Sequence, residues 1–271
     1  MPRDPALGSD RPRTYEDLRA VLASGTLHFP KRLRQVAIFL WQHPGDVAVG
    51  TIGEVSAQAG VQPSTLVRFA QALGLAGFAE LQALFKAHIR GSWPDDHARA
   101  SVGGSGFLAG FVAASHASLD RLGTPDFDRG KLDTIVALLA EADLVHVIGS
   151  KRAFPVAGYV SLALSQQGIR NVLVDNVGST APDQVGCLGP GDAILAISFS
   201  PYNSITPDLV AIARERGARV AAITDSTFSP LIPLADAALE VVESDFAGFR
   251  SLAASLSVGM ALVHGIAQRR G

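Results

Sequence analysis

The sequence predicts two domains in series, an all-α module followed by an α/β module with a parallel sheet. In the front part, apolar residues recur at three- and four-residue spacing, with no strand-like alternation before residue 100. After residue 107, short and continuously apolar runs alternate with helical stretches, which is typical of a parallel sheet covered by helices on both faces. Between the two parts lies a stretch, 91–106, with the Gly-, Ser- and charge-rich composition of a linker. The predicted boundaries are therefore 1–90, 91–106 and 107–271.

The composition is that of a globular protein. With 48% hydrophobic and 18% charged residues among 271, the chain can bury a sizeable core and is not a disordered protein. No apolar run approaches the roughly 20 residues of a membrane-spanning helix, and the first dozen residues lack the apolar segment of a signal peptide. We therefore expect a cytoplasmic protein with no membrane partner. The single cysteine, Cys187, excludes an internal disulfide and a cysteine-based zinc site.

Charge is distributed unevenly between the two parts. Residues 1–90 contain ten Lys and Arg against seven Asp and Glu, whereas residues 91–271 contain thirteen against eighteen. A basic front and an acidic back indicate two modules with different partners, and nucleic acid is one candidate partner of the front module.

Three helices of the front module follow from periodicity. They cover 15–24, 30–43 and 78–90. The apolar stripe of the second of these helices consists of Leu33, Val36, Ala37, Leu40 and Trp41. A stripe of this kind packs its helix against a shared core.

Between the second and third of these helices, the stretch IGEVSAQAGVQPSTLVRFAQALGLAGF (52–78) predicts two short helices around a tight turn. Gly60 stands where the turn needs a residue that tolerates positive φ, and Pro63 suits the first turn of the second helix. At about 100° per residue, that helix has an apolar face opposite a face of small polar groups with one arginine. The inward residues are Leu66, Phe69, Ala70 and Leu73, and the outward residues are Val61, Thr65, Arg68 and Ala72, with Ser64 and Gln71 beside them.

The polar face of this second helix has the chemistry of a DNA recognition helix, whose first residues reach base edges in the major groove. Basic residues at the start of helix 30–43 can contact phosphates. The candidate DNA-binding residues are Gln62, Ser64, Thr65, Arg68, Lys31 and Arg32. The alternative is an ordinary αα-hairpin in which these residues are only a solvated surface.

The back module begins with two helices, 107–123 and 127–142. Five apolar runs then predict the strands 144–149, 171–175, 193–198, 219–224 and 237–242. Three stretches between strands are predicted to be helical, 154–168, 204–217 and 229–236, and a long helix, 248–270, closes the chain.

Two strand ends carry loops suited to an anionic ligand, VIGSKRAFPVAG (147–158) and ILAISFSPYNSIT (194–206). An open parallel sheet places ligands at the carboxyl ends of its strands, where helix N-termini and hydroxyl groups favour anions. The candidate residues are Gly149, Ser150, Lys151 and Arg152 in the first loop, and Ser198, Ser200, Asn203 and Thr206 in the second. The alternatives are that the serines only cap the following helix and that the two cations are solvated.

Support for catalysis is weak. A nucleophilic serine needs a histidine base and an orienting carboxylate, and His116, His146 and His264 have no recognisable partner spacing. Glu243, near a strand end, is the best candidate for a carboxylate base in sugar isomerisation and for an effector contact, although a surface charge is the simpler reading. The sequence contains no metal-binding constellation, and we expect neither a metal nor a cofactor.

The run SAQAGVQPSTLVRFAQALGLAGFAELQ resembles the helix-turn-helix of the RpiR/MurR family of bacterial transcription regulators. The matching pairs are Arg68-Phe69, Leu73-Gly74 and Gly77-Phe78. The second half is similar to the SIS (sugar isomerase) domain, which is the effector domain of these regulators. This resemblance implies a flavodoxin-like α/β fold that binds phosphosugars.

The second loop of the chain departs from the usual pattern of that domain. Ser198, Ser200 and Thr206 match, but Asn203 replaces a hydroxyl residue and Pro201 stands where glycine is usual. In the first loop, Ala153 takes the place of a serine. A branch of these regulators carries a similar RRSFPVA run and a proline after the second serine, so the chain resembles that branch. A loop altered in this way can suit a sugar acid or an unphosphorylated polyol as well as a phosphate.

The residues and the resemblance together predict a DNA-binding transcriptional regulator. The front module binds a roughly palindromic double-stranded operator, which requires a homodimer or a higher homo-oligomer. The back module senses a sugar phosphate, sugar acid or related sugar metabolite and thereby controls operator binding. The alternative is a sugar-phosphate isomerase with a helical appendage.

Overall fold

The chain forms two compact units, Met1–Val102 and Gly103–Gly271. The computed structural model describes residues 11–23, 29–91 and 104–271. Of the predicted linker 91–106, Gly91 belongs to a helix and residues 104–106 begin another, and residues 92–103 lie outside the described residues.

The first unit is helical throughout its described part. Its helices are α1 (Tyr15–Ala23), α2 (Lys31–Gln42), α3 (Pro44–Val49), α4 (Ile52–Gln58), α5 (Pro63–Ala72) and α6 (Phe78–Gly91). The predicted periodicity is confirmed, since Leu40, Leu66, Phe69 and Phe85 are each at most 1% exposed. The sequence did not predict α3, because six residues are too few for a helical period to be recognised.

The second unit contains helices, a sheet of five strands and a separate two-stranded hairpin. The helices are α7 (Gly104–Gly123), α8 (Arg129–Ala140), α9 (Phe154–Gln166), α10 (Ala181–Gly186), α11 (Ile205–Glu215) and α12 (Ala253–Arg270). The strands are β1 (Val145–Gly149), β2 (Asn171–Val174), β3 (Ala193–Ser198), β4 (Arg219–Thr224), β5 (Ala237–Glu240), β6 (Asp245–Phe246) and β7 (Phe249–Arg250).

The sheet has the order β2-β1-β3-β4-β5 and all its pairs are parallel. One face packs against α8, α9 and α12, and the other face packs against α10 and α11. This confirms the predicted α/β fold with a covered parallel sheet. The strand order reverses between β1 and β3, where Gly149 is paired with Ile197, so the loops after these two strands start side by side.

The predicted closing helix 248–270 is wrong at its start. Residues Phe249–Arg250 pair antiparallel with Asp245–Phe246, and the helix begins at Ala253. Ala247 and Gly248 both have positive φ, of 51° and 78°, which closes a two-residue hairpin turn. The amide of Ala253 donates to Ser251 Oγ, which ends the strand and starts the helix.

Two other connections also differ from the prediction. Residues 229–236 form turns and not a helix, because prolines at 230 and 233 interrupt helical hydrogen bonding. The short α10 precedes β3 and was not predicted. Among the described residues, no helix is long and apolar enough to cross a membrane.

Candidate functional site

The turn between α4 and α5 is held by backbone and side-chain hydrogen bonds. Gly60 has a φ of +64°, and the amide of Val61 donates to the carbonyl of Ser56 over 3.0 Å. Gln35 on α2 donates from Nε2 to the carbonyls of Ala59 (2.9 Å) and Gly60 (3.4 Å). The turn is therefore anchored to a third helix, which fixes the direction in which α5 leaves it.

The two faces of α5 have opposite character. Leu66 and Phe69 are fully buried, whereas Gln62, Ser64 and Arg68 are exposed. Thr65 is partly exposed on the same outer side. The side chains of the three exposed residues make no hydrogen bond or ion pair within the described part of the chain, so their donors and acceptors are available to a partner.

The two predicted cations on α2 lie in its first turn and are exposed. Arg32 donates from Nη1 to Gln35 Oε1 over 3.1 Å, and Gln35 in turn holds the α4–α5 turn. One chain of hydrogen bonds thus joins Arg32 to the segment that starts α5. Lys31 lies directly before Arg32 in the same first turn of α2.

A cleft of about 420 Å³ opens at the carboxyl ends of β1 and β2 in the second unit. Its remaining walls come from the first residues of α9 and α10 and the first turns of α11. Its lining includes Gly149, Ser150, Lys151 and the polar residues Asp175 and Asn176. The first three were predicted from the sequence, and the last two were not.

The first predicted loop supplies the floor of this cleft. Ser150 Oγ and Thr206 Oγ1 lie 3.1 Å apart, so a hydroxyl pair joins the loop after β1 to the start of α11. Gly149 is required by a close approach, since a Cβ there would lie 2.8 Å from the carbonyl oxygen of Ala153. Lys151 is exposed and has a φ of 53°. Lys151 is the cationic residue among those that line the cleft.

The second predicted loop lies beside the cleft and is turned inward. Ser198 and Ser200 are each 4% exposed and Thr206 is 0% exposed. Asn203 Oδ1 accepts the backbone N–H of Thr206, in the first turn of α11, over 3.1 Å. Arg152 donates from Nη2 to the carbonyl of Ser200 over 2.8 Å. The structure therefore brings eight of the nine predicted residues together, all except Glu243, but of these two loops only the first and the α11 start reach the cleft wall.

Asp225, which directly follows β4 and was not among the predicted site residues, organises this second loop. Its side chain is 1% exposed and accepts the N–H of Ser200 at 3.1 and 3.2 Å and the hydroxyl of Tyr202 at 2.5 Å. Arg250 on β7, 8% exposed, donates to it over 2.7 Å. The only sequence signal was a polar residue directly after a buried strand.

Glu243 does not line the cleft. It is 5% exposed and accepts the amide of Ser255 in the first turn of α12 over 2.7 Å, so it caps that helix. His146 is buried within β1 facing α10, and burial lowers its pKa, an effect that Asp192 partly offsets. Neither residue lies where it could act on a ligand in the cleft.

Asp175 stays charged at neutral pH. The backbone N–H of Val177 donates to its carboxylate over 3.0 Å, and this bond lowers the pKa of Asp175, with a further contribution from Gln184. The cleft therefore contains one cation and one carboxylate. The described residues include no group of three or more His, Cys, Asp or Glu placed to hold a metal ion.

Two family models match the chain in this order. A helix-turn-helix domain of the rpiR family matches residues 17–90, and the SIS domain matches residues 138–265. The first contains the α4–α5 turn, and the second contains the cleft and both predicted loops.

Curated relatives include regulators and longer proteins. The chain is 27% identical over 249 residues to the uncharacterized HTH-type transcriptional regulator YbbH of Bacillus subtilis (strain 168), an alignment that covers 87% of this chain and 83% of that protein. It also matches bifunctional proteins glk from Paraburkholderia and Burkholderia species, of whose length it spans 32%.

Two solved structures share the fold. The sugar isomerase domain of an RpiR transcription factor from Sphaerobacter thermophilus is 26% identical with a TM-score of 0.56, covering 60% of this chain and 90% of that one. The NanR protein of Vibrio vulnificus, complexed with ManNAc-6P, is 20% identical with a TM-score of 0.54, covering 89% and 86%. With a rpiR-family helix-turn-helix domain followed by a SIS domain, the chain belongs to the RpiR family of transcriptional regulators.

Proposed function

We propose that this regulator binds an operator through α5 and that a sugar metabolite bound in the SIS cleft controls that binding. One observation carries the DNA-binding part: α5 buries one face completely and leaves the side chains of Gln62, Ser64 and Arg68 exposed and unpaired in the described part of the chain. Exposed polar groups on the first turns of such a helix match the edges of bases in the major groove.

The operator is double-stranded and roughly palindromic in this proposal. A single recognition helix provides few base contacts, so affinity and register come from two copies on two half-sites. A homodimer or a larger homo-oligomer is the assembly that presents them. Lys31 and Arg32 contact phosphates beside each half-site. A protein that binds chromosomal DNA in bacteria works in the cytoplasm.

The effector in this proposal is a sugar phosphate or a related sugar metabolite. Support comes from the cleft at the switch in strand order, lined by Ser150, Lys151, Asp175 and Asn176. The NanR structure holds ManNAc-6P, which is a sugar phosphate on a protein of the same fold. Effector binding favours one DNA-binding state of the oligomer over the other.

We propose no catalytic step. The carboxylate that suits an isomerase base, Glu243, caps α12 and does not reach the cleft. The competing function, sugar-phosphate isomerisation, is tested by incubating the full chain with aldose and ketose phosphates. Turnover that disappears in Glu243→Ala would establish the isomerase instead.

Arg68→Ala tests the DNA-binding assignment. The operator is first selected from random or genomic DNA with the full chain, and affinity is then measured by fluorescence anisotropy at fixed salt. If Arg68 contacts a base, its removal weakens operator binding by about 1–3 kcal/mol and relaxes specificity at one position.

Arg216→Ala is the matched control, because Arg216 is an exposed arginine at the end of α11 in the other unit. The control removes the same charge and should leave operator affinity unchanged. If the Arg68 variant and the wild type bind the operator with equal affinity, α5 is not the recognition helix.

A further inference from the structure

The second loop of the SIS domain already holds an anion that belongs to the chain. The N–H of Ser200 points at the buried carboxylate of Asp225, which also receives Tyr202 and Arg250. With its side chain 1% exposed, Asp225 lies behind the loop and not in the cleft. That N–H is therefore unavailable to a ligand in front of the loop.

The start of α11 is also poor in donors for an anion. The N–H of Thr206 is taken by Asn203 Oδ1 at 3.1 Å. Positions 201 and 207 are prolines, which have no N–H, and Asp208 adds a negative charge in the first turn. A helix N-terminus binds phosphate through several free N–H groups and its positive dipole, and this one offers few.

The cleft itself has mixed polarity. Lys151 and Ser150 line one side, and Ser150 already shares a hydrogen bond with Thr206. The Asp175 carboxylate and the Asn176 amide line the β2 side, whereas Phe154, Ile205 and Leu209 supply apolar surface. A phosphate dianion in this space would have one flexible cation and would face a carboxylate, which costs free energy in a partly desolvated site.

A neutral, hydroxyl-rich ligand uses every one of these groups. Its hydroxyls donate to Asp175 and Asn176 and accept from Lys151 and Ser150, while its C–H face packs on Phe154 and Ile205. We infer that the effector of this regulator is an unphosphorylated sugar or polyol, and that Asp225 and Asn203 set this preference by occupying the donors that a phosphate needs. The inference rests on the proposed effector function of the cleft.

Matched ligand pairs test the inference on the full chain. Glucose, sorbitol and N-acetylmannosamine are each compared with their 6-phosphates by thermal shift and isothermal titration calorimetry, with inorganic phosphate as a competitor. In at least one pair the unphosphorylated member should bind about tenfold tighter or more, and millimolar phosphate should not displace it. A phosphorylated member that binds tighter, or displacement by inorganic phosphate, would overturn the inference while leaving effector sensing intact. If neither member of any pair binds, both the inference and effector sensing fail.

Two variants in the cleft separate the ligand classes. Asp175→Asn keeps the carbonyl oxygen that accepts from Val177, so the local turn is retained, but it removes the charge. It should weaken the preferred neutral ligand about tenfold and reduce its advantage over the 6-phosphate. Lys151→Gln should change neutral-ligand affinity less than about threefold, since an uncharged donor remains. A loss above tenfold in Lys151→Gln, absent from the exposed control Lys131→Gln, would identify an anionic ligand instead.

Discussion

At the scale of single residues, the carboxylates that follow β4 and end β5 have different surroundings: Asp225 is buried and Glu240 is partly buried. Asp225 is compensated by Arg250, Tyr202 and a backbone N–H. Within the described part of the chain, Glu240, at the end of β5, has no such set of partners. Burial raises the pKa of Glu240, the Asp225 carboxylate raises it further, and Lys131 offsets part of this. The charge of Asp225 is therefore stabilised by its partners, whereas the surroundings of Glu240 disfavour its ionised form.

Glu240→Gln should stabilise the protein at neutral pH. Because the folded-state pKa lies above the unfolded value, Glu240 costs stability as pH rises from the unfolded pKa through the folded pKa, and the cost is absent below both. We expect the variant to gain about 1 kcal/mol at pH 7.5 and nothing near pH 4. Urea denaturation at the two pH values measures the difference.

Glu215→Gln, at an exposed position on α11, controls for the loss of one negative charge. A Glu240→Gln gain of the same size at both pH values would show that the effect is not linked to the carboxyl proton. A loss of stability at pH 7.5 would show that the ionised form is favoured after all.

At the scale of elements, two glutamines tie helix ends of the first unit to neighbouring helices. Gln35 donates to the carbonyls of Ala59 and Gly60, and Gln82 donates to those of Val47 (3.0 Å) and Gly50 (2.6 Å). Each accepts from a cation one turn away, Arg32 and Lys86 respectively. The carbonyls at the end of a helix lack intrahelical partners, so these amides satisfy them. Of the two glutamines, only Gln35 contacts the turn that sets the direction of α5.

Gln35→Glu should weaken operator binding without unfolding the chain. Glutamate has the same shape and still pairs with Arg32, but it presents an acceptor to the carbonyls of Ala59 and Gly60. Loss of a partly buried hydrogen bond costs about 1–3 kcal/mol, and we expect roughly a tenfold loss of operator affinity because the turn no longer holds α5 in one direction. Fluorescence anisotropy measures affinity, and a thermal melt measures stability.

Gln82→Glu is the matched control, since it makes the same chemical change at the end of α3. It should lower the melting temperature by a similar amount and leave the operator affinity of the folded protein unchanged. If both variants lose affinity equally, Gln35 acts on stability alone and does not position α5.

Comparing strand bounds with the contacts between loops shows which features of the structure the sequence can and cannot predict. The bounds of β3 and β4 agree with the predicted ones because continuous apolar runs end at polar residues in both. The cleft contacts of Asp175 and Asn176, and the pairing of Asp225 with Arg250, depend on which loops the sheet order brings together. A pattern read along the chain contains no information on such pairs, so the sequence identified the loops but not their internal partners.

At the scale of the whole molecule, a regulator in which an effector controls operator binding needs a coupling free energy between the two binding events. The family assignment gives a DNA-binding domain and a SIS domain in one chain. Binding at two sites of one protein is reciprocal: if the effector changes operator affinity by some factor, the operator changes effector affinity by the same factor. Couplings of this kind are typically about 1–3 kcal/mol, or about 5- to 150-fold.

The coupling can be measured in both directions on the full chain. Operator affinity is determined by anisotropy with and without saturating effector, and effector affinity by calorimetry with and without saturating operator. We expect the two ratios to agree and to exceed about fivefold, since a smaller coupling would not switch a promoter. Asp175→Asn should lower effector affinity in both DNA states alike and leave the ratio unchanged, because it acts in the cleft and not on the coupling. Two ratios equal to one would show that the SIS domain binds its ligand without controlling the DNA-binding unit, whatever the identity of that ligand.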